Sequence, residues 1–453
     1  MVIASYLPRL RSRARACPAA ASLGGWLVLA LAPSFACTRY VDAVTPAVDA
    51  SPSDDEEVLE KPDATSAPAD APPADGPEVN EPRLPRLVTS FGKGGMYETP
   101  AARDKQTFVD FISLPDGGSA LMLESACAVW ITNAQGAQEG RYREPTCRGR
   151  ALLWHPARRI LVSAGLTERM GLVRALDRTG ATTTLIADSP FFEIPLDDIT
   201  AMGLSNAGPV VAGYKGSTKN PGNLDATLFV LQEARGDTAG ATTDLTLSDY
   251  VLWIDQPGTG DIEAIGVGLG ESSVVPPLFF TLAMSNDGKI ATVDQREGSE
   301  LLGSLPVRLK VAPDRTRYAL ASVPPTTKTA SPSWAIFAFF ERGKINSTFG
   351  NGGLAPLPHA DVRWTDFIVR DRDIVLVGTN DASPVTTWMT ALDLATGLPV
   401  GPFETEGALP VQEGVAALRI APAGDGAVLI AGLTGVAANA AFVAKVQLDE
   451  PKP

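Results

Sequence analysis

Val415-Ala-Ala-Leu-Arg-Ile-Ala-Pro-Ala-Gly-Asp-Gly-Ala-Val-Leu-Ile-Ala-Gly432 holds two apolar runs around a Pro/Gly/Asp-rich turn. Turn residues between aliphatic or β-branched runs mark a β-hairpin. The pattern recurs as Trp364-Thr-Asp-Phe-Ile-Val-Arg-Asp-Arg-Asp-Ile-Val-Leu-Val-Gly378. It recurs again over 199–213, 108–123 and 151–165, turning at Asn206-Ala207-Gly208, Asp116-Gly117-Gly118 and Pro156-Ala157. Further turns at Asn286-Asp287-Gly288 and Pro313-Asp314 bring the hairpin signals to seven.

Most hairpins are followed by a third strand that ends in a polar turn. Leu172-Val-Arg-Ala-Leu-Asp-Arg-Thr-Gly180 and Trp388-Met-Thr-Ala-Leu-Asp-Leu-Ala-Thr-Gly397 match closely, and 334–343 and 442–449 fill the same slot. No amphipathic helical pattern competes. Units of about 40 to 55 residues built from short strands imply an all-β domain, a β-propeller. A second repeated element is Val88-Thr-Ser-Phe-Gly-Lys-Gly-Gly-Met96, echoed by Asn346-Ser-Thr-Phe-Gly-Asn-Gly-Gly-Leu354. Together these resemble the delta-60 repeat family, whose units pair a Phe-Gly-x-Gly-Gly turn with a glycine-bounded hairpin. The resemblance covers 345–397 and 86–136 and thins between 237 and 302. It implies a propeller-like fold in exported bacterial proteins and supplies no catalytic residues.

Seven blades are expected, with six as the alternative. Asp287 and Asp314 stand too close for two full blades, so one unit is truncated or draws strands from 245–270. The chain ends on a third strand with no glycine-rich turn after it, whereas the unit ending at Gly343 runs on into one. Residues 86–95 are therefore expected to dock beside the C-terminal strand and close the ring.

Residues 1–36 read as an export signal. Arg9, Arg11, Arg13 and Arg15 form a basic start, residues 19–31 an apolar stretch, and Ser34-Phe35-Ala36 a small-residue cleavage site. The stretch falls short of the roughly 20 residues that span a bilayer. Cys37 follows at once, as in a bacterial lipobox, although Ser34 stands where that pattern carries Leu; cleavage without lipidation is the rival. Of four cysteines, Cys17 leaves with the signal. Lipidation of Cys37 leaves Cys127 and Cys147 as an even pair, expected to form a disulfide.

Residues 37–85 read as an acidic Pro/Ala-rich disordered tether. Within 41–80, eleven acids face Lys61 alone, a composition that cannot bury enough apolar surface to offset ordering entropy. Residues 86–453 are the propeller. The formal net charge of -14 argues against nucleic acid and anionic membrane surfaces as partners.

No catalytic motif emerges. The only histidines, His155 and His359, each lack a second ligand at metal spacing, and Gly203-Leu-Ser-Asn-Ala207 lacks the closing glycine of a nucleophile elbow. Asp371 and Asp373 suit a hairpin turn, where Asp bonds its own backbone. They and Asp197-Asp198 offer too few oxygens for a calcium loop. Asn346-Ser-Thr348 lies inside the repeat's own turn. Trp334, Trp364 and Trp388 sit on repeat strands as core; Trp253, outside the repeat register, fits a buried strand better than a ligand pocket.

The sequence thus points to a monomeric, lipid-anchored propeller at the cell surface or in the periplasm that binds an envelope protein or glycan, without cofactor or metal. Lys215-Gly-Ser-Thr-Lys-Asn-Pro-Gly-Asn223 and an insertion at 256–275 are the candidate binding rim. A glycan hydrolase or lyase with acids converging at one channel mouth is the alternative, and a ligand-free structural repeat the third reading.

Overall fold

The computed structural model describes residues 85–448, apart from short segments at 103–104, 169, 186–188, 218–221, 234–235, 244–247, 256–261, 270–277, 298–303, 325–332, 341–343, 381, 425 and 435–438. The stretches expected to be an export signal and a tether, with Cys37, lie outside the described residues up to 84.

Seven antiparallel sheets follow one another along the chain. Blades 1 to 6 occupy residues 108–142, 148–194, 198–242, 248–297, 305–356 and 362–413; blade 7 occupies 415–447 and takes strands from 86–98. In each blade the first strand lies innermost. Every first strand touches the first strand of the next blade, and the circle closes where Val415–Gly424 meets Phe108–Ser113.

Period-two alternation explains the packing. One face of a blade meets the preceding blade and the other face the next, so each seam holds its own apolar layer. Between blades 6 and 7 it contains Val375, Val377, Ile430 and Phe442. Between blades 7 and 1 it contains Leu121, Trp130, Leu429 and Val443. The remaining five seams follow suit. Second strands such as Ser119–Leu123 and Ile160–Leu166 are covered on both faces and buried throughout. This is why they read as nearly continuous apolar runs.

Ring closure follows the expected route. Arg86–Leu87 and Met96–Glu98 both pair with the C-terminal strand Ala440–Gln447, with Leu87 opposite Val446 and Tyr97 opposite Val443. The two Phe-Gly-x-Gly-Gly turns are structural copies. Gly92 and Gly350 have φ of 55° and 54°, and Phe91 and Phe349 are buried. A β-carbon at either first glycine would overlap the carbonyl of Met96 or Leu354, which excludes other residues. Each turn also grips the next blade, since the Gly92 amide donates to Gln135 O at 2.7 Å and that of Gly350 to Thr396 O at 3.1 Å.

Blade 4 corrects the sequence reading. Its inner hairpin joins Ser248–Asp255 to Ile262–Leu269, so the stretch 256–275 is no insertion but contains the blade's second strand. The Asn286-Asp287-Gly288 turn joins third and fourth strands instead. Blade 4 has all four strands and draws its first two from 245–270. Its second strand escapes notice because Gly266 interrupts the apolar run, and it does so because the Phe280 ring fills the space a side chain would need.

Candidate functional site: a charged belt on the inner strands

All seven inner strands skip one residue in pairing with their second strand. The extra residues are Val109, Arg150, Thr200, Leu252, Val307, Thr365 and Leu418. Such bulges bend a strand and re-aim the following side chain. Here they bring charged groups into the seams around the axis.

Two relays share one design. Asp110, just after its bulge, accepts the Leu152 amide of blade 2 at 2.8 Å and faces Arg419 of blade 7 at 3.8 Å. Asp366, at the same place in blade 6, accepts the Ile420 amide of blade 7 at 3.2 Å and faces Arg308 of blade 5 at 3.7 Å. Both arginines also donate to the carbonyl of their own bulge residue, Val307 or Leu418, at 2.9 Å. Each relay ties three blades together.

At the face where the inner strands begin, Arg150 joins blades 1, 2 and 3. Its Nη1 donates to Glu124 at 2.9 Å and its Nε to Asp198 at 2.6 Å; the Tyr214 hydroxyl also donates to Asp198, at 3.3 Å. On the opposite face, Glu263 of blade 4 pairs with both Arg315 and the buried Arg317 of blade 5. A buried carboxylate so engaged has its charge balanced by its partners and is held in place by them.

The residues singled out from the sequence do not converge. His155 bonds Glu233 at 2.6 Å, while His359 stacks against Trp388 with ring centroids 4.8 Å apart. Asp373 pairs with Arg370, Asp198 belongs to the Arg150 bridge, and Asp197 accepts the Gly216 amide at 2.9 Å. The Asn346 side chain caps Thr348 within its turn. Trp364 is buried; Trp334, Trp388 and Trp253 are half-buried against seam cores. Of the rim candidates, the 215–223 loop closes through a Ser217 amide to Asn223 O bond, with 218–221 outside the described residues. Among the described residues no group of three His, Cys, Asp or Glu side chains could hold a metal ion.

Cys127 and Cys147 form the expected disulfide, with Cα atoms 5.2 Å apart. It joins the loop inside blade 1 to the segment leading into blade 2. Gly165 of blade 2 lies against both sulfurs, with no room for a side chain.

Asp110, Arg150, Arg308, Asp366 and Arg419 match no catalytic spacing, so motif inspection passes over them. A signal exists nonetheless: Phe108-Val-Asp-Phe111 parallels Trp364-Thr-Asp-Phe367, and Val307-Arg-Leu309 parallels Leu418-Arg-Ile420. A charge at one fixed place in an apolar strand marks a seam contact.

No family model matches the chain, and no curated protein matches it. Among solved structures it is similar to a streptogramin B lyase, at 13% identity over 78% of this chain and 97% of that one, with a TM-score of 0.47. A virginiamycin B lyase from Staphylococcus aureus gives 12% identity, 78% and 99% coverage and a TM-score of 0.49. The β-propeller domain of the trilobed protease from Pyrococcus furiosus gives 8%, 77% and 100%, and 0.45. These are likenesses of fold alone.

Proposed function

We propose that the protein is an exported, lipid-anchored β-propeller of the delta-60 repeat type that serves as a binding module at the cell envelope. The observation that carries this reading is the state of the belt. Asp110, Asp198 and Asp366 are spent on bracing neighbouring blades, which suits a rigid scaffold with function on its surface. The basic, apolar and small-residue segments ahead of Cys37, followed by an acidic tether, support anchoring through acyl chains, of which stable attachment needs more than one.

Fractionation tests the anchor: wild type should partition with membranes, and Cys37→Ser should move to the soluble fraction. A wild type already soluble after lysis removes the lipid anchor. Sedimentation with washed envelopes tests the module. The Cys37→Ser chain, which lacks the anchor, should be retained without releasing soluble sugar, whereas steady release of fragments would point to a hydrolase or lyase.

A further inference from the structure

The seam between blades 1 and 2 carries, at its outer rim, a side-chain group that the scaffold does not consume. Phe191 and Arg174 are register partners in blade 2, so they stand side by side on the face turned toward blade 1. The Arg174 guanidinium lies 5.5 Å from the Phe191 ring centre and 5.8 Å from that of Tyr142 in blade 1. Arg174 Nη2 donates to Glu144 at 2.8 Å, and the Tyr142 hydroxyl reaches the same carboxylate oxygen at 3.4 Å. Phe191 remains 42% exposed.

We infer that Phe191, Arg174 and Glu144 form a saccharide-binding site at this seam; it would be the working surface of the module proposed above. The chemistry decides the ligand class. Nη2 of Arg174 meets Glu144 and Nε is buried, which leaves the Nη1 edge of the guanidinium to face a ligand, and Glu144 keeps acceptor capacity beyond Arg174, Tyr142 and Thr146. A vicinal diol matches that set, one hydroxyl accepting from arginine and the next donating to the carboxylate. The C–H face of a sugar ring is weakly positive and suits the negative face of a phenyl ring. An acidic ligand would meet the repulsion of Glu144. An apolar peptide would bury the ion pair and leave its remaining donors unpaired, which disfavours it.

The group is also held in advance of binding. The Ser189 hydroxyl donates to Phe191 O at 2.6 Å, fixing the entry of that strand. Glu144 sits on the segment tied down by Cys147, whose amide donates to Glu144 O at 3.0 Å. Burial pushes the Tyr142 phenol up to about 12 against the pull of Arg174, so it stays a donor. Preorganisation of this kind lowers the ordering cost of binding.

Native affinity electrophoresis of the full chain through gels cast with dextran, mannan, xylan or laminarin tests the site. At least one of these should retard wild type. Phe191→Ala should raise the apparent Kd by about tenfold or more, and Phe191→Trp should restore it. Thermal midpoints should stay within about 2 °C in both variants, because Phe191 is exposed. Glu144→Gln, which keeps the shape and removes the charge, should weaken retardation as well. No retardation by any of the four polymers overturns the assignment, as does equal retardation of Phe191→Ala and wild type. If that happens while the Cys37→Ser chain still sediments with envelopes, this site falls and the module stands; absence of its sedimentation removes the module reading itself.

Discussion

Asp366 is almost fully buried and serves two neighbouring blades at once, through the Ile420 amide and the Arg308 guanidinium. Removing the carboxylate leaves the buried Ile420 amide without its acceptor. Asp366→Ala is therefore expected to cost about 1–3 kcal/mol in denaturant unfolding, and Asp110→Ala somewhat less, since Asp110 is more open. A loss below about 1 kcal/mol for Asp366→Ala would mean that the belt does not brace the ring. The turns at the ends of the third strands give a pH signature. Hydrogen bonds from Thr179, side chain and backbone, hold the Asp177 carboxyl below its usual range; Thr396 and Ala395 do the same for Asp393. A carboxyl whose folded pKa is depressed adds stability above its unfolded value, near 4, and loses it as pH falls through the folded one. The Asp177→Asn, Asp393→Asn double variant should thus melt lower than wild type at pH 7, with the gap narrowing at pH 3. A gap of constant width contradicts the turn assignment.

Among the elements, the Phe-Gly-x-Gly-Gly turn joins sequence to seam most directly. Gly350→Ala should destabilise by at least about 1–3 kcal/mol, because it meets both a left-handed backbone and the Leu354 carbonyl. Gly352→Ala, also at positive φ but with open space around it, should cost less. Equal costs would show that backbone conformation, not the close approach, sets the requirement. The disulfide closes a loop with a sequence separation of 20 and should contribute roughly 3 kcal/mol in the loop-entropy model. Chemical unfolding of the Cys127→Ala, Cys147→Ala variant measures it. How far these elements could be read in advance depended on their chemistry. Turns made of Gly, Asp and Asn announce themselves, so six inner hairpins and the repeated turn are visible in the chain. Blade 4 hides because Tyr250-Val-Leu-Trp-Ile254 does not alternate and Gly266 breaks its partner strand. The belt hides for another reason: Arg308 meets Asp366, and Arg419 meets Asp110, only after folding brings neighbouring blades together. The Phe191 group is hidden in the same way, with Arg174, Glu144 and Tyr142 joined across a seam.

For the whole molecule, closure is what turns seven sheets into one scaffold. The last blade borrows its outer strands from residues 86–98. Closing the ring covers the edge of the C-terminal strand and inserts Phe91 into the seam between blades 7 and 1. A large buried aromatic of this kind is worth about 3–5 kcal/mol when truncated to alanine. Stability should therefore depend on the closing strands and hardly at all on residues 41–80. The direct measurement is the thermal midpoint of three chains: intact, lacking 41–80, and lacking 86–98. The chain lacking 41–80 should melt within about 2 °C of the intact protein, while loss of the closing strands should lower the midpoint well beyond that or abolish cooperative melting. Equal midpoints for all three would contradict a ring held shut by its N-terminal strands.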